Sequence, residues 1–163
     1  MPGRHAPATR RNREPILEVL RAWLPPRGTV VEIACGTGEH AAYFGEALPH
    51  LVWQPTDIDP DARASTDAWT ARLHNVRPAL AVDASRPPWP IEAADAIFCA
   101  NMIHIAPIEA CRGLLAGAGG TLRPDGVLVV YGPFRREGAH TAASNAAFDA
   151  SLRDRDPVRE RGP

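Results

Sequence analysis

Residues 30–40 read VVEIACGTGEH, a short apolar strand followed by a glycine-rich turn and the start of a helix. Only Glu32 interrupts the apolar run, which suits a parallel strand covered on both faces. Gly36 and Gly38 let the backbone approach a ligand without a Cβ in the way. The first N–H groups of the following helix are free to bind a polar group. The pattern is typical of a nucleotide-like cofactor site and favours a cofactor-dependent enzyme.

Helical and extended patterns alternate on both sides of this stretch. We expect Asn12 to cap the first helix, with Pro15 in its first turn. The predicted helices cover residues 12–24, 39–48, 60–73 and 107–122, and the predicted strands cover residues 29–34, 51–56, 76–82, 95–100 and 127–131. This alternation predicts an α/β fold with a doubly wound, mostly parallel sheet.

The same patterns divide the chain into a domain and two flanking segments. Residues 1–11 are expected to form a flexible N-terminus, and residues 12–134 a Rossmann-like cofactor-binding domain. Residues 135–163 are predicted to form a polar tail with a short helix near residues 144–152 and a disordered, charged end.

Composition excludes several classes of partner. The formal net charge is -1, which gives no basic surface for nucleic acid. There is no apolar stretch long enough for a membrane span and no secretory signal. The cysteines (Cys35, Cys99 and Cys111) match no zinc spacing, so we interpret them as reduced thiols in a cytoplasmic protein. No metal is predicted, since His40 and His104 would lack a third ligand.

Acidic residues stand at the ends of three successive predicted strands, at Glu32, Asp57 and Asp83. Asp57 is placed to accept from ribose hydroxyls, and Asp83 from an adenine amino group. Each acid alone has a plainer interpretation, as a helix cap or a solvated loop residue. The glycines alone are ambiguous, because residues 36–41 also match the dinucleotide fingerprint G-x-G-x-x-A. Glu32 favours a cofactor with a positive amine, since a carboxylate would repel a pyrophosphate.

With the segments DIDP (residues 57–60) and LRPDG (residues 122–126), these motifs resemble the class I S-adenosylmethionine-dependent methyltransferases over about residues 12–134. The class usually has a further glycine where this chain has Ala34. The resemblance implies that S-adenosylmethionine is the cofactor. The cofactor-binding residues that we predict are Glu32, Gly36, Thr37, Gly38, Asp57, Ile58, Asp83, Ala84 and Asn101.

A second resemblance is narrower. Segments RNREPIL (residues 11–17), NMIHI (101–105) and YGPF (131–134), with the pattern SNxxFDxSL in the tail, look like the methyltransferase-like protein 26 family. The substrate of that family is not established. This resemblance implies the same fold and cofactor, and it supplies no reaction.

The resemblance stops after Asp156-Pro157, close to the end of the chain. Class I domains normally continue with a helix and two antiparallel strands that cover the fifth strand. We therefore expect a sheet that lacks those two strands and leaves residues 127–131 as an apolar edge. Two outcomes are expected for such an edge: a marginally stable protein, or a homodimer that covers the edge.

The predicted function is methyl transfer from S-adenosylmethionine to an unidentified acceptor, such as a small molecule. Asn101 and His104 follow the fourth strand, where the class places groups that face the substrate, and they are the candidate catalytic residues. His104 suits a general base near neutral pH, although its apolar neighbours also suit a structural histidine. Two other functions stay open: a non-catalytic S-adenosylmethionine-binding module and an NAD-dependent oxidoreductase.

Overall fold

Helices and strands alternate along the chain in the computed structural model, which describes residues 3–155. The helices are α1 (Pro7–Trp23), α2 (Glu39–Ala47), α3 (Pro60–Thr70), α4 (Met102–Ile105), α5 (Ile108–Thr121) and α6 (Ala143–Arg155). The strands are β1 (Gly28–Ile33), β2 (Leu51–Asp57), β3 (Leu80–Ala81), β4 (Ala94–Ala100), β5 (Leu122–Tyr131), β6 (Arg135–Arg136) and β7 (Ala139–His140). The chain divides into two compact units, residues 1–131 and 132–163.

The first unit is built on a parallel sheet with strand order β3-β2-β1-β4-β5. This confirms the predicted α/β fold with a doubly wound parallel sheet. The register aligns Ile33 of β1 with Thr56 of β2 and with Cys99 of β4. Because these strands end at one level, the loops that follow them meet at the same edge of the sheet.

Apolar side chains cover both faces of the sheet. On one face, α1 and α2 pack against the strands through Leu20 and Phe44, which meet Trp53 and Phe98. On the other face, Leu114 of α5 packs in a second cluster with Ile33, Ile97 and Met102. Burial on both faces explains the continuous apolar run of β1. Each fully buried side chain of this size contributes about 1.5–3 kcal/mol to folding.

The first helix starts earlier than predicted. It begins at Pro7 after Ala6, which makes no side-chain capping bond, and the prolines at 7 and 15 are both accommodated in it. The prediction that Asn12 caps this helix is wrong. Asn12 is buried inside α1, and its Oδ1 lies 2.9 Å from Nε2 of His40 on α2. The contact with His40 therefore explains why an asparagine is buried at position 12.

The third strand is shorter than the predicted residues 76–82. Only Leu80–Ala81 pair with β2, and a single parallel bridge joins Val76 to Trp53. Pro78 lies between the two and has no N–H for the ladder. Its carbonyl instead accepts from Nε2 of Gln54 at 2.9 Å.

Three short elements were not predicted from the sequence: α4, β6 and β7. The helix α4 precedes α5, which matches the predicted helix over residues 107–122. In the second unit, β6 and β7 form an antiparallel pair, and α6 covers the helix predicted near residues 144–152. Disorder was predicted for residues 154–163. Residues 154 and 155 are instead the end of α6, and residues 156–163 lie outside the described residues. No described helix combines the length and the apolar character that crossing a membrane requires.

Within the described residues, β5 is the outermost strand of the sheet, paired on one side by β4. Its apolar residues 127–130 are half-buried. A homodimer through this edge stays a prediction, and it would pair backbone groups that the sheet leaves open on that side.

Sedimentation analysis checks the predicted dimer. Tyr131 ends β5 and is 37% exposed, so Tyr131→Lys places a charge on the edge without disturbing the core. We expect the wild-type protein to sediment as a dimer and the lysine variant as a monomer, because charged edge strands resist pairing. Tyr131→Phe is the matched control and should remain dimeric. A wild-type protein that stays monomeric at every concentration would contradict the prediction.

Candidate functional site

A cavity of about 370 Å³ lies at the edge of the sheet where the strands end. Its walls combine apolar side chains, among them Ile58, Val82 and Met102, with the carboxylates of Asp57, Asp83 and Glu109. Ala84 also lines it, so the structure brings four predicted site residues together: Asp57, Ile58, Asp83 and Ala84. The size and the mostly apolar lining are typical of a small-molecule site.

The charged residues that line the cavity are all acidic. Among the described residues that line it there are three acids and no lysine, arginine or histidine. Arg86 is near, with its Nε 3.4 Å from Oδ2 of Asp83, but its side chain is 84% exposed and lies outside the lining. Such a cavity favours a neutral or cationic ligand over a polyanion.

Asp57 is held from two sides. Its Oδ2 accepts from the N–H of Gly36 at 2.9 Å, and its Oδ1 accepts from the N–H of Asp59 at 2.9 Å. The N-cap of α3 is Asp59, whose own Oδ1 accepts from the N–H of Asp61. Asp57 therefore does not cap that helix. Its carboxylate ties the turn after β1 to the turn after β2.

Asp83 is fixed by its own loop. Its Oδ1 accepts from the N–H of Ser85 at 2.9 Å and from the Ser85 hydroxyl at 2.6 Å. These bonds hold the pKa of Asp83 below its ordinary value. The carboxylate is therefore ionised at neutral pH.

The two glycines of the turn have different functions. Gly36 has φ 59°, and a Cβ there would point into open space. Gly38 has φ 85°, and a Cβ there would overlap the backbone of Thr66 on α3. Gly36 thus leaves room in front of the turn, whereas Gly38 allows close packing behind it.

Two residues that are not glycine adopt the same left-handed conformation at this edge. Ala34 follows β1 with φ 58°, and Asn101 follows β4 with φ 63°. Alanine in this region costs about 1–2 kcal/mol, which explains why the class usually has glycine here. Asparagine tolerates the conformation better. Strained backbone of this kind concentrates at functional sites.

Glu32 does not line the cavity. It is 2% exposed, and its Oε2 accepts from the indole Nε1 of Trp53 at 2.7 Å. Burial raises the pKa of Glu32 to about 8, against the lowering effect of the Trp53 bond, and the charge of Asp57 raises it further. The carboxyl is thus mostly protonated at neutral pH, and the acidity of the cavity comes from other residues.

The two candidate catalytic residues lie beside the cavity but do not line it. The N–H of Asn101 donates to the carbonyl of Tyr131 at 2.8 Å, which continues the pairing of β4 with β5. His104 lies on α4, half-buried, and its N–H donates to the carbonyl of Asn101. Thr37 belongs to the glycine turn, where its carbonyl accepts from the Ser65 hydroxyl at 2.7 Å.

His40 belongs to the core. Its ring stacks on Phe44 with centroids 5.2 Å apart, and burial lowers its pKa to about 4. Burial likewise raises the thiol pKa values of Cys35 and Cys99, so neither is a ready nucleophile. No group of three or more metal-ligating side chains is found in the part of the chain that the structure describes.

Glu109 is the cavity acid that the sequence patterns missed. It lies in the first turn of α5, after Pro107. An acid in the first turn is a common signal of a helix start. That signal places Glu109 just after β4, at the edge that carries the other acids.

The wall that carries Ala84 depends on a glycine of α5. A Cβ at Gly113 would overlap the carbonyl oxygen of Ala84 and the Cα of Ser85. The glycine therefore lets the loop after β3 lie directly against the helix. This close packing explains why α5 contains a glycine at position 113 although glycine disfavours a helix.

Solved methyltransferases share this fold. S-adenosylmethionine-dependent methyltransferase SibL, in its apo form, matches with a TM-score of 0.72 and 21% identity over 89% of this chain and 42% of SibL. CalO1, a methyltransferase in calicheamicin biosynthesis solved in an SAH-bound form, matches with a TM-score of 0.68 and 19% identity. The match covers 86% of this chain and 41% of CalO1. The sugar N-methyltransferase KedS8 from Streptoalloteichus sp ATCC 53650 matches with a TM-score of 0.55 and 25% identity. The match covers 80% of this chain and 54% of KedS8.

The fold is therefore the Rossmann-like fold of the class I S-adenosylmethionine-dependent methyltransferases. The chain spans about half, or less, of the length of these solved structures. Within this class of fold, the chain belongs to the family DUF938, a family of proteins of unknown function whose model matches residues 3–160.

The buried Glu32 makes the stability of the protein depend on pH. Its carboxyl ionises near 4.5 in the unfolded chain and near 8 in the folded protein, so the free energy of unfolding falls as the pH rises between these values. His40 acts in the opposite direction below 6.5, since its folded pKa is about 4. Between pH 6.5 and 8, Glu32 should lower the free energy of unfolding by on the order of 1.5 kcal/mol.

Urea unfolding of the Glu32→Gln variant between pH 6.5 and 8 checks whether Glu32 causes this fall in the free energy of unfolding. Glutamine keeps an oxygen for the Trp53 indole and cannot ionise, so we expect its free energy of unfolding to stay nearly constant. Glu46→Gln, an exposed change on α2, is the matched control and should follow the wild type. The prediction is wrong if Glu32→Gln loses stability as steeply as the wild type.

A pair of glycine substitutions in α5 checks the packing of the cavity wall. Gly113→Ala should lower the free energy of unfolding by about 1–3 kcal/mol, because the new Cβ overlaps the Ala84 backbone. Gly119→Ala should raise it by about 0.5–1 kcal/mol, because a Cβ there meets nothing and alanine favours the helix. Thermal or urea unfolding measures both, and a gain from both substitutions would contradict the packing argument.

Proposed function

We propose that the chain binds S-adenosylmethionine in this cavity and transfers its methyl group to an unidentified acceptor, such as a small molecule. The observation that carries the proposal is the acidic lining of the cavity. Apolar walls suit an adenosine, and a lining that holds three acids and no basic residue favours a cofactor that is positively charged. A dinucleotide would instead bring a doubly negative pyrophosphate to a site whose lining offers it no basic residue.

The residues at the cavity fit the adenosine part. Asp57 uses one lone pair of each carboxylate oxygen on the backbone, which leaves acceptor capacity for two ribose hydroxyls. Ile58 is 64% exposed at the rim, where it can cover a flat ring. Asp83 and Ala84 follow β3 and are assigned to the amino edge of the adenine.

The remaining predicted contacts are assigned to the amino-acid part of the cofactor. They are Gly36, Thr37, Gly38 and Asn101. The open space in front of Gly36 supports an approach of the ligand to the turn. Because Glu32 is buried against Trp53, we assign it to holding the strand end beneath the turn rather than to a charge contact.

When bound, the cofactor supplies a methyl group on a positively charged sulfur. The protein then has to hold the acceptor in line with that methyl group, and positioning of this kind accounts for much of the rate of such reactions. We assign His104 as the base for an acceptor that must lose a proton and Asn101 as a residue that orients it. The SAH-bound form of CalO1 supports a cofactor of this type in this fold.

A cofactor-binding protein without turnover is the second proposal. It is favoured by the position of the two candidate catalytic residues, Asn101 and His104, which do not line the cavity. As part of the first proposal, we also propose that the chain is related to the methyltransferase-like protein 26 family. We further propose that it is located in the cytoplasm.

Titration calorimetry tests the cofactor. We expect the protein to bind S-adenosylhomocysteine and to ignore NAD. Asp57→Ala should weaken the binding by about 10- to 100-fold, because it removes a charged acceptor of two hydroxyls. Glu92→Ala, an exposed loss of the same charge away from the cavity, should bind as the wild type does. Binding of NAD without S-adenosylhomocysteine would overturn the proposal.

Turnover separates the enzyme from the binding module. Incubation with labelled S-adenosylmethionine and a metabolite extract should transfer the label to an acceptor in the wild type but not in Asp57→Ala. Binding without any transfer would support the second proposal.

A further inference from the structure

The N-terminal strap, residues 3–6, is docked on α3 by directional bonds. The N–H of Arg4 donates to the hydroxyl of Ser65 at 2.7 Å, and the indole Nε1 of Trp69 donates to the Arg4 carbonyl at 2.8 Å. The His5 ring meets the Trp69 ring edge-on, with centroids 5.0 Å apart. Both backbone groups of Arg4 are therefore paired with side chains of one helix.

Glu39 joins the strap to the glycine turn. It is the first residue of α2 and only 9% exposed. Its carboxylate accepts from the N–H of Ala6 and lies 3.1 Å from Nδ1 of His5. It also accepts from the hydroxyl of Thr37 at 3.4 Å. One carboxylate thus contacts two residues of the strap and one residue of the turn.

Ser65 provides a second bridge between the same two segments. Its hydroxyl accepts from the N–H of Arg4 and donates to the carbonyl of Thr37. Thr37, between the two positive-φ glycines, is therefore braced through its side chain and its carbonyl. Both braces lead to the strap.

A third link is ionic and more exposed. The Arg4 guanidinium lies 3.1 Å from Asp61 and 3.9 Å from Asp59, and all three side chains are at least half exposed. Exposed pairs of this kind contribute little to stability. The bridges through Glu39 and Ser65 therefore carry the argument.

We propose that the N-terminal strap is part of the cofactor-binding machinery and that Glu39 is the positioning residue through which it acts. This inference rests on the proposed function. A turn with two glycines has many conformations, and ordering it on ligand binding would cost affinity. The strap orders the turn beforehand, so docking of the strap and binding of the cofactor favour each other.

Two alanine substitutions on α2 test the proposal by titration calorimetry with S-adenosylhomocysteine. Glu39→Ala should raise the dissociation constant about tenfold, the effect of losing one or two hydrogen bonds that position the turn. Glu46→Ala is the matched control, because it removes the same charge from the same helix at an exposed position. It should bind as the wild type does. Ser65→Ala cuts the second bridge and should weaken binding about threefold.

A second measurement distinguishes positioning from general support of the fold. Coupling is reciprocal, so saturating S-adenosylhomocysteine should slow the exchange of the Arg4 and Ala6 amide hydrogens by about the factor seen in affinity. Two-dimensional NMR of the wild-type protein resolves these amides. The ligand also slows every amide that exchanges through global unfolding, so the test counts only local opening of the strap, in which Arg4 and Ala6 exchange faster than the core amides.

Each outcome decides a separate point. Weaker binding in Glu39→Ala, together with slower exchange in the wild type, supports the strap. Equal affinity of Glu39→Ala and the wild type, or no change in exchange, overturns the strap and leaves the cofactor site standing. If the wild type does not bind S-adenosylhomocysteine, the proposed function fails and the role of the strap fails with it. If Glu39→Ala does not fold, Ser65→Ala and the wild-type exchange decide.

Discussion

The carboxylate of Asp57 is the constraint on which the site depends. It accepts one N–H from the turn after β1 and one from the turn after β2, at 2.9 Å each. Charge-assisted bonds to backbone N–H groups are short and directional. They fix the glycine turn in relation to the start of α3, and the aligned register of β1 and β2 brings both turns within reach. The carboxylate of Asp57 therefore holds together the two turns that border the cavity.

The site also needs the core beneath it. Two titratable side chains are buried between the sheet and its helix layer, Glu32 on β1 and His40 on α2, with Trp53 and Asn12 as their hydrogen-bond partners. Burial shifts both pKa values toward the neutral form. Each group is therefore neutral at pH 7 and avoids the cost of a buried charge. Glu32 and His40 therefore add polar contacts beneath the site without adding charge to it.

Sequence patterns predicted the parallel sheet and the acids at its edge, because apolar periodicity is local and parallel strands end together. They missed contacts between distant residues. Asn12 was predicted to cap a helix because its partner, His40, lies 28 residues away. The position of Glu32 was predictable in principle. Side chains alternate along a strand, so Glu32 shares the face of Val30, which is turned into the core. Helix propensity makes Gly113 an unfavourable residue within α5, and only the folded chain shows the loop that packs on it.

The glycine fingerprint alone fits two classes of cofactor, and the charges around α2 separate them. A dinucleotide fold uses the N-terminus of this helix to bind a pyrophosphate, since the free N–H groups and the helix dipole favour an anion. In this chain the first residue of α2 is Glu39, whose buried carboxylate already places a negative charge there and is held by the strap and by Thr37. A pyrophosphate at the same helix end would be repelled by the carboxylate of Glu39. An S-adenosylmethionine brings a positive sulfur and a positive amine instead, and the chain's own anions favour that ligand.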